Sequence, residues 1–346
     1  MQATAPPAAV ALVGLLAAGS LAMWLLAVRR LRAGEPLVPF EPRRPVPWGG
    51  IEVLLIVLGY LFANGLAAIY FVAPIGEDAT VSVVSSLTLT ITGLASLLVI
   101  AAGAVLLWRA AGATWRDLGL SRRHWLPDVR LGLAAGLAIT APVYAIQSIF
   151  TTLFKFESEH PLIEMVERGQ NFTIFAVAVF LAVGVAPLAE EFLFRVLLQG
   201  WLEARQTRGR AERQLNAEML GNIGAKVENA ESPAAVSVDS DNPYAAPPAI
   251  PLSLPNSAAP TPNAATLDAQ IEFVAGQLVP GWAPLVTSAV IFALLHATQG
   301  PDPIALLPLA LVLGYLYRQT HRLVPSLVAH AFLNATSMLL LWLNLA

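Results

Sequence analysis

Residues 180–195 read FLAVGVAPLAEEFLFR. Two adjacent carboxylates, Glu190 and Glu191, close an uncharged apolar run, and Arg195 follows one helical turn later. Such a run belongs to a membrane-spanning helix, where a buried charge costs at least about 2.5–3.5 kcal/mol on insertion scales. Two acids placed there need a reason. In a helix Glu191 and Arg195 stand at i and i+4, share a face and can form an ion pair. Glu190 points about 100° away and is free of that internal pairing. Pro187 removes a backbone donor and is expected to kink the helix. The stretch therefore predicts a structural pair, Glu191–Arg195, beside an uncommitted carboxylate, Glu190.

The rest of the chain agrees with a membrane setting. Of 346 residues 56% are hydrophobic and only 12% charged, about half the charged fraction of a soluble domain. Mean hydropathy is +0.65. A net charge of −3 gives no electrostatic footprint for nucleic acid. With no cysteine, disulfides, thiolate metal sites and a cysteine nucleophile are excluded. Apolar segments near the length needed to cross a bilayer, about 20 residues, lie at 8–28, 51–73, 82–108, 131–154, 172–200, 281–299, 303–317 and 323–345. The seventh is short and holds Pro308. The expected fold is all-α, a polytopic transmembrane helical bundle of about eight spans. Met1–Pro7 carries no Lys or Arg, and the basic cluster Arg29, Arg30 and Arg32 follows the first span, so that span reads as a retained anchor rather than a signal peptide.

Charge placement supports this reading. Arg29, Arg30, Arg32, Arg43 and Arg44 follow span one; Arg109, Arg116, Arg122, Arg123 and Arg130 lie between spans three and four. Arg205, Arg208, Arg210, Arg213 and Lys226 follow span five; Arg318 and Arg322 separate spans seven and eight. The opposite loops hold only Lys155 and Arg168. By the positive-inside rule the Arg-rich loops are cytoplasmic, in a multi-pass protein of the cell membrane with both termini extracytoplasmic. Residues 207–270 break the pattern. Glu231 to Asp268 is rich in Ala, Pro, Ser and Asn, too poor in apolar surface to offset its ordering entropy. It reads as a disordered cytoplasmic insertion, although Leu202 to Leu220 can continue span five as an amphipathic helix. The chain thus divides into N-terminal spans within 1–154 and a core at 171–345 that the 207–270 insertion interrupts.

Five histidines are present. His124, His160 and His321 fall in loops and are assigned no function. His296 and His330 lie inside apolar spans, where the plain reading of either alone is a helix–helix hydrogen bond. His330 and Asn334, however, stand at i and i+4 and project from one helix face. By helical rise Glu190 lies roughly 22 Å from Arg205, and His330 and Asn334 roughly 12 and 18 Å beyond Arg322. His296 lies at a similar depth above Gly281, so the four can meet in one pocket. A carboxylate in a dry site can act as general base on water. An imidazole beside it can hold that water, and an imidazole with an amide can donate to a developing oxyanion. Glu190, His296 and His330 equally form a zinc ligand set, without the His-Glu-x-x-His helix that would make that signal strong. A transporter with a mid-membrane site is disfavoured, because no inverted repeat is visible.

Glu190-Glu191-x-x-x-Arg195, Phe292-x-x-x-His296 and His330-x-x-x-Asn334, in that order, resemble the three motifs of the CPBP family of intramembrane proteases. That family includes the type II CAAX prenyl proteases and the bacterial lysostaphin-resistance-like proteins. The resemblance covers about 171–345 without the insertion; spans one to four share only hydrophobicity with it. It implies an endopeptidase in the lipid bilayer that acts on a membrane-associated protein or peptide, prenylated or not. By it Glu190 and His296 activate water, His330 and Asn334 form the oxyanion hole, and Glu191 and Arg195 support the site. It leaves two cofactor alternatives: none, or zinc on Glu190, His296 and His330. The alternative function is a non-catalytic scaffold or bacteriocin-immunity-type protein of the same fold, which the intact set of four side chains argues against.

Overall fold

A computed structural model describes residues 6–71, 86–154, 172–230, 264–297 and 302–345. Among them the chain is entirely helical, in nine helices. They are α1 (Pro7–Arg32), α2 (Gly50–Phe71), α3 (Ser86–Ala110), α4 (Trp125–Phe154), α5 (Phe172 to Ala230), α6 (Ala264–Gln277), α7 (Trp282–Leu294), α8 (Asp302–Thr320) and α9 (Leu323–Leu345). Local chemistry explains several ends. Proline opens α1, where its missing N–H has no helical partner to lose, and Arg29, Arg30 and Arg32 sit in the last turn against the negative end of the dipole.

Helix α5 runs unbroken through Pro187, where the sequence predicts a kink. Two wider, π-type stretches, Phe180–Val185 and Phe192–Gln199, flank the ordinary turn Ala186–Glu191. The proline ring meets the carbonyl one turn upstream, and the first wide stretch lies there, so the helix widens instead of breaking.

Among the described residues six helices are long and apolar enough to cross a membrane, or seven if α6 and α7 are taken as one span bent by 72°. Of the eight segments expected, 281–299 and 303–317 are not separate spans among these residues. Segment 281–299 holds only the 13-residue α7, about 20 Å long by its rise, because Pro280–Gly281 interrupts the run before it and the helix stops short of His296. Segment 303–317 forms α8 but does not qualify as a span on its own. The 207–270 reading also changes at its edges: helix continues from 207 to Ala230, and α6 begins at Ala264. The Pro-rich middle, 231–263, together with Lys155, His160 and Arg168, lies outside the described residues.

Packing brings the C-terminal helix to the centre. α9 lies along α4, where Gly132 and Gly136 permit backbone approach. A Cβ on Gly136 would stand 2.9 Å from Phe332 Cβ and 3.1 Å from the Ala329 carbonyl. The Tyr144 hydroxyl reaches Thr336 and Ser337 at 2.8 and 2.9 Å, pinning the same pair of helices further along.

At one end of the bundle residues 33–49 form a strap across the loops. The Glu41 N–H donates to the Gln319 carbonyl (2.8 Å), and Arg43 donates to the His321 carbonyl (2.9 Å). Arg44 pairs with Asp117 (2.5 Å), Trp48 Nε1 donates to the Leu197 carbonyl (3.3 Å), and Arg208 donates to the Val46 carbonyl (2.9 Å). Arg322 pairs with Asp128 (2.8 Å) and with Glu41. His321, with φ 51°, takes the left-handed conformation uncommon outside glycine. The loops after α1, α3 and α8 and the end of the α5 span therefore meet on one side, as the alternation of basic residues predicts. Burial pushes the Asp117 carboxyl up, but hydrogen bonds from Arg44 and Thr114 hold it below the ordinary aspartate range.

Two tests follow from this packing. Gly136→Leu is expected to drive α9 from α4 and shift purified protein from a monodisperse to an aggregated peak in size-exclusion chromatography. Asp117, with its folded pKa lowered, contributes stability above its unfolded value of about 3.9 that is lost as pH falls through the folded value. Asp117→Asn should therefore lower the melting temperature at pH 7, by an amount matching about 1.5–3 kcal/mol, and the difference from the wild type should shrink as pH falls through the folded value.

Candidate active site

The site is assembled where α5, α7 and α9 cross. Glu191 and Arg195 of α5 are both fully buried, and Arg195 Nε donates to Glu191 Oε2 at 3.2 Å. The predicted i, i+4 pair is present. Its surroundings explain how two charges are tolerated without water. Arg195 Nη1 donates to the Ser288 hydroxyl of α7 (3.2 Å), and that hydroxyl donates to the Phe194 carbonyl (2.8 Å). The guanidinium lies over the Phe292 ring at 5.5 Å, an arrangement that favours a cation against the π face. The second carboxylate oxygen, Glu191 Oε1, accepts from His330 Nδ1 of α9 at 3.0 Å.

That last bond fixes the His330 ring. With Nδ1 given to Glu191, the remaining ring nitrogen is Nε2, 3.7 Å from Glu190 Oε2. The separation exceeds a direct hydrogen bond. The Glu190 side chain keeps 24% of its surface exposed, whereas Glu191 keeps none. Two neighbouring carboxylates thus have opposite circumstances. One is consumed by protein donors; the other keeps part of its surface exposed.

His296 lies just beyond the end of α7, half-buried. Its Nδ1 is 2.9 Å from the Phe292 carbonyl, which can only accept, so that nitrogen carries the proton and Nε2 is left free. The His296 ring tilts against Phe292 at 5.0 Å and the His330 ring meets the same phenyl edge-on at 5.8 Å, so both imidazoles flank one aromatic plate. Asn334 lies one turn beyond His330, where its amide donates to the Ala182 carbonyl of the first wide stretch at 2.7 Å.

Among the predicted site residues, Arg195, Glu191, His330 and Glu190 follow one another at 3.2, 3.0 and 3.7 Å, with His296 against the shared Phe292 ring and Asn334 tied to the adjacent turn. His124 hydrogen-bonds Ser121, and His321 lies by Glu203. Sequence reading missed Ser288. The signal was there: Ser288, Phe292 and His296 recur at every fourth position, one face of α7. Among the described residues no three His, Asp or Glu side chains are grouped as a metal site requires. The set Glu190, His296 and His330 is not drawn together as zinc would need in this conformation, and no step below runs through a metal.

Compared with known families, residues 271–336 match the model for Type II CAAX prenyl endopeptidase Rce1-like. The matched stretch carries His296, His330 and Asn334 but begins well after Glu190. It bears out the resemblance that the motifs carry. No curated protein and no solved structure matches the chain.

Removing one member of a buried pair strands the other, at about 3–5 kcal/mol. Arg195→Met and Glu191→Leu are each expected to reduce the folded yield from membranes, measured by fluorescence-detected size exclusion. The double replacement should recover part of the loss.

Proposed function

We propose that this multi-pass membrane protein is an intramembrane endopeptidase in which Glu190 activates water. The observation that carries the reading is the pairing of Glu190 Oε2 with His330 Nε2 at 3.7 Å, beyond a direct hydrogen bond, beside the buried Glu191–Arg195 pair. A water to one side of that pair can reach both atoms at hydrogen-bond distance. The match to prenyl endopeptidases over 271–336 supports the same class of reaction.

The chemistry then follows from the side chains. Glu190 takes a proton from water as the water oxygen bonds to the scissile carbonyl carbon. The electron pair of the carbonyl moves to its oxygen. His330, its ring held by Glu191, presents Nε2 to that oxygen; carrying its proton there, it donates to the oxyanion together with the Asn334 amide. As the C–N bond breaks, Glu190 returns the proton to the leaving amine. His296, with Nε2 free, stands beside Glu190 and shares the handling of the water. Glu191 and Arg195 keep the donors in register. The substrate is a membrane-associated peptide or protein, and the Arg-rich end of the bundle faces the cytoplasm.

The test uses full-length protein in lipid nanodiscs and a quenched peptide bearing an S-farnesyl cysteine ahead of the reporter bond. The wild type is expected to release fluorescence. Glu190→Ala should cut the rate at least about a hundredfold with unchanged membrane abundance. Turnover at the wild-type rate by that variant removes the assigned base.

A further inference from the structure

Residues 108–130 lead from the end of α3 into α4 and hold five arginines, Arg109, Arg116, Arg122, Arg123 and Arg130, against two acids, Asp117 and Asp128. Both acids are buried, each 1% exposed, and both are taken by cations from elsewhere in the chain: Asp117 by Arg44 at 2.5 Å and Asp128 by Arg322 at 2.8 Å. The five arginines of the segment itself are exposed, and none of them pairs with a carboxylate among the described residues. Between them stand Trp108, Trp115 and Trp125, exposed at 58, 73 and 61%, with Leu120 and Leu126 also exposed. The Arg109 guanidinium lies over the Trp108 indole at 4.7 Å. One surface thus offers uncompensated positive charge and large apolar side chains together.

The inner side of the segment is fastened to the bundle. Ala113 and Leu118 are buried in the core cluster. The Leu120 N–H donates to the Trp115 carbonyl, and the Leu323 N–H, the first of α9, donates to the Gly119 carbonyl, both at 2.9 Å. Gly119 takes φ 76°, and a Cβ there would stand 2.7 Å from the Leu323 nitrogen. A backbone held in this way presents its outward side chains already arranged, which lowers the ordering cost of binding. The flanking helices are long and apolar enough to cross a membrane, over Leu89–Ala110 and Trp125–Leu153, so the segment lies where two spans leave the hydrocarbon. At that depth indoles sit among headgroups, and each arginine near an anionic leaflet strengthens attachment about fivefold.

We propose that the α3–α4 segment is a docking surface for anionic phospholipid, its arginines taking the headgroup phosphates while Trp115, Trp125 and Leu126 enter the edge of the acyl layer. Charge of a single sign selects an anion. The indoles and leucines set among the charges select an anion that carries hydrocarbon, rather than a free phosphate or an acidic peptide. Guanidinium forks match phosphate oxygens two at a time. The basic cluster at the end of α1 supplies an internal contrast: Arg30 is already paired with Glu35 at 3.3 Å, and Trp24, the nearest indole in sequence, donates to the Ala138 carbonyl.

The test titrates the full-length protein in detergent with phosphatidylglycerol or phosphatidylcholine and counts bound lipid by native mass spectrometry. The wild type is expected to retain phosphatidylglycerol in preference to phosphatidylcholine. Arg116→Gln, Arg122→Gln and Arg123→Gln together should weaken phosphatidylglycerol binding about a hundredfold and leave the melting temperature unchanged, since all three side chains are exposed. Trp115→Ala with Trp125→Ala should weaken it as well, with the charge intact. The triple variant Arg29→Gln, Arg30→Gln and Arg32→Gln should lose far less. Equal losses from the two triple variants would reduce the surface to general basicity and overturn the proposal, as would wild-type retention by the loop variant. Release of the lipid by an equal concentration of inorganic phosphate would mark a simple anion site, and tighter binding of a polyglutamate peptide would mark a protein partner; either result overturns it too.

Discussion

A carboxylate with no water around it must be answered by protein donors, and the arrangement of the core follows from how Glu191 is answered. One oxygen takes Arg195 and the other takes His330. Each donor is itself held: Arg195 by Ser288 on α7, His330 by its place on α9, which Gly132 and Gly136 allow to lie close against α4. A single buried charge therefore ties three helices at fixed distances. A buried pair of this kind adds little net stability over apolar packing. What it fixes is geometry, since each oxygen of Glu191 accepts from a different helix, and a rotated or shifted helix would leave a charge without its partner.

The wide stretches of α5 give this cluster its asymmetry. Between them the turn Ala186–Glu191 presents two successive carboxylates in different directions, one fully buried and one partly exposed. Phe194 and Phe292, in edge contact at 5.3 Å, wall the interior side. In such low-dielectric surroundings every hydrogen bond to a charge is stronger than in water, so the orientation of His330 is held tightly. The same asymmetry separates support from chemistry within one dipeptide, where sequence alone shows only a repeated glutamate.

The parts of this fold that could be read from sequence are those set by local spacing. The i, i+4 relation makes Glu191–Arg195 a pair wherever the helix is continuous, and the distribution of arginines foretells which loops share an end. The span count was less legible, because apolar composition does not register the break at Pro280–Gly281 that leaves α7 short. Ser288 escaped notice for a different reason: a lone serine in an apolar helix is ordinary, and only its tertiary contact with Arg195 gives it meaning. The Glu191–His330 bond joins residues 139 positions apart, and no periodicity reports on that. Asn64 and Ser96 are likewise inconspicuous until two helices bring them together.

The strap of residues 33–49 has a consequence for biogenesis. Its side chains and backbone close on Tyr317, Gln319, His321 and Arg322, as Arg43 and His321 do across 278 positions of sequence. The strap is thus made long before these partners. Until then Arg43 is available to lipid phosphates, and the helices already made must be retained in the bilayer by their own hydrophobicity rather than by these contacts.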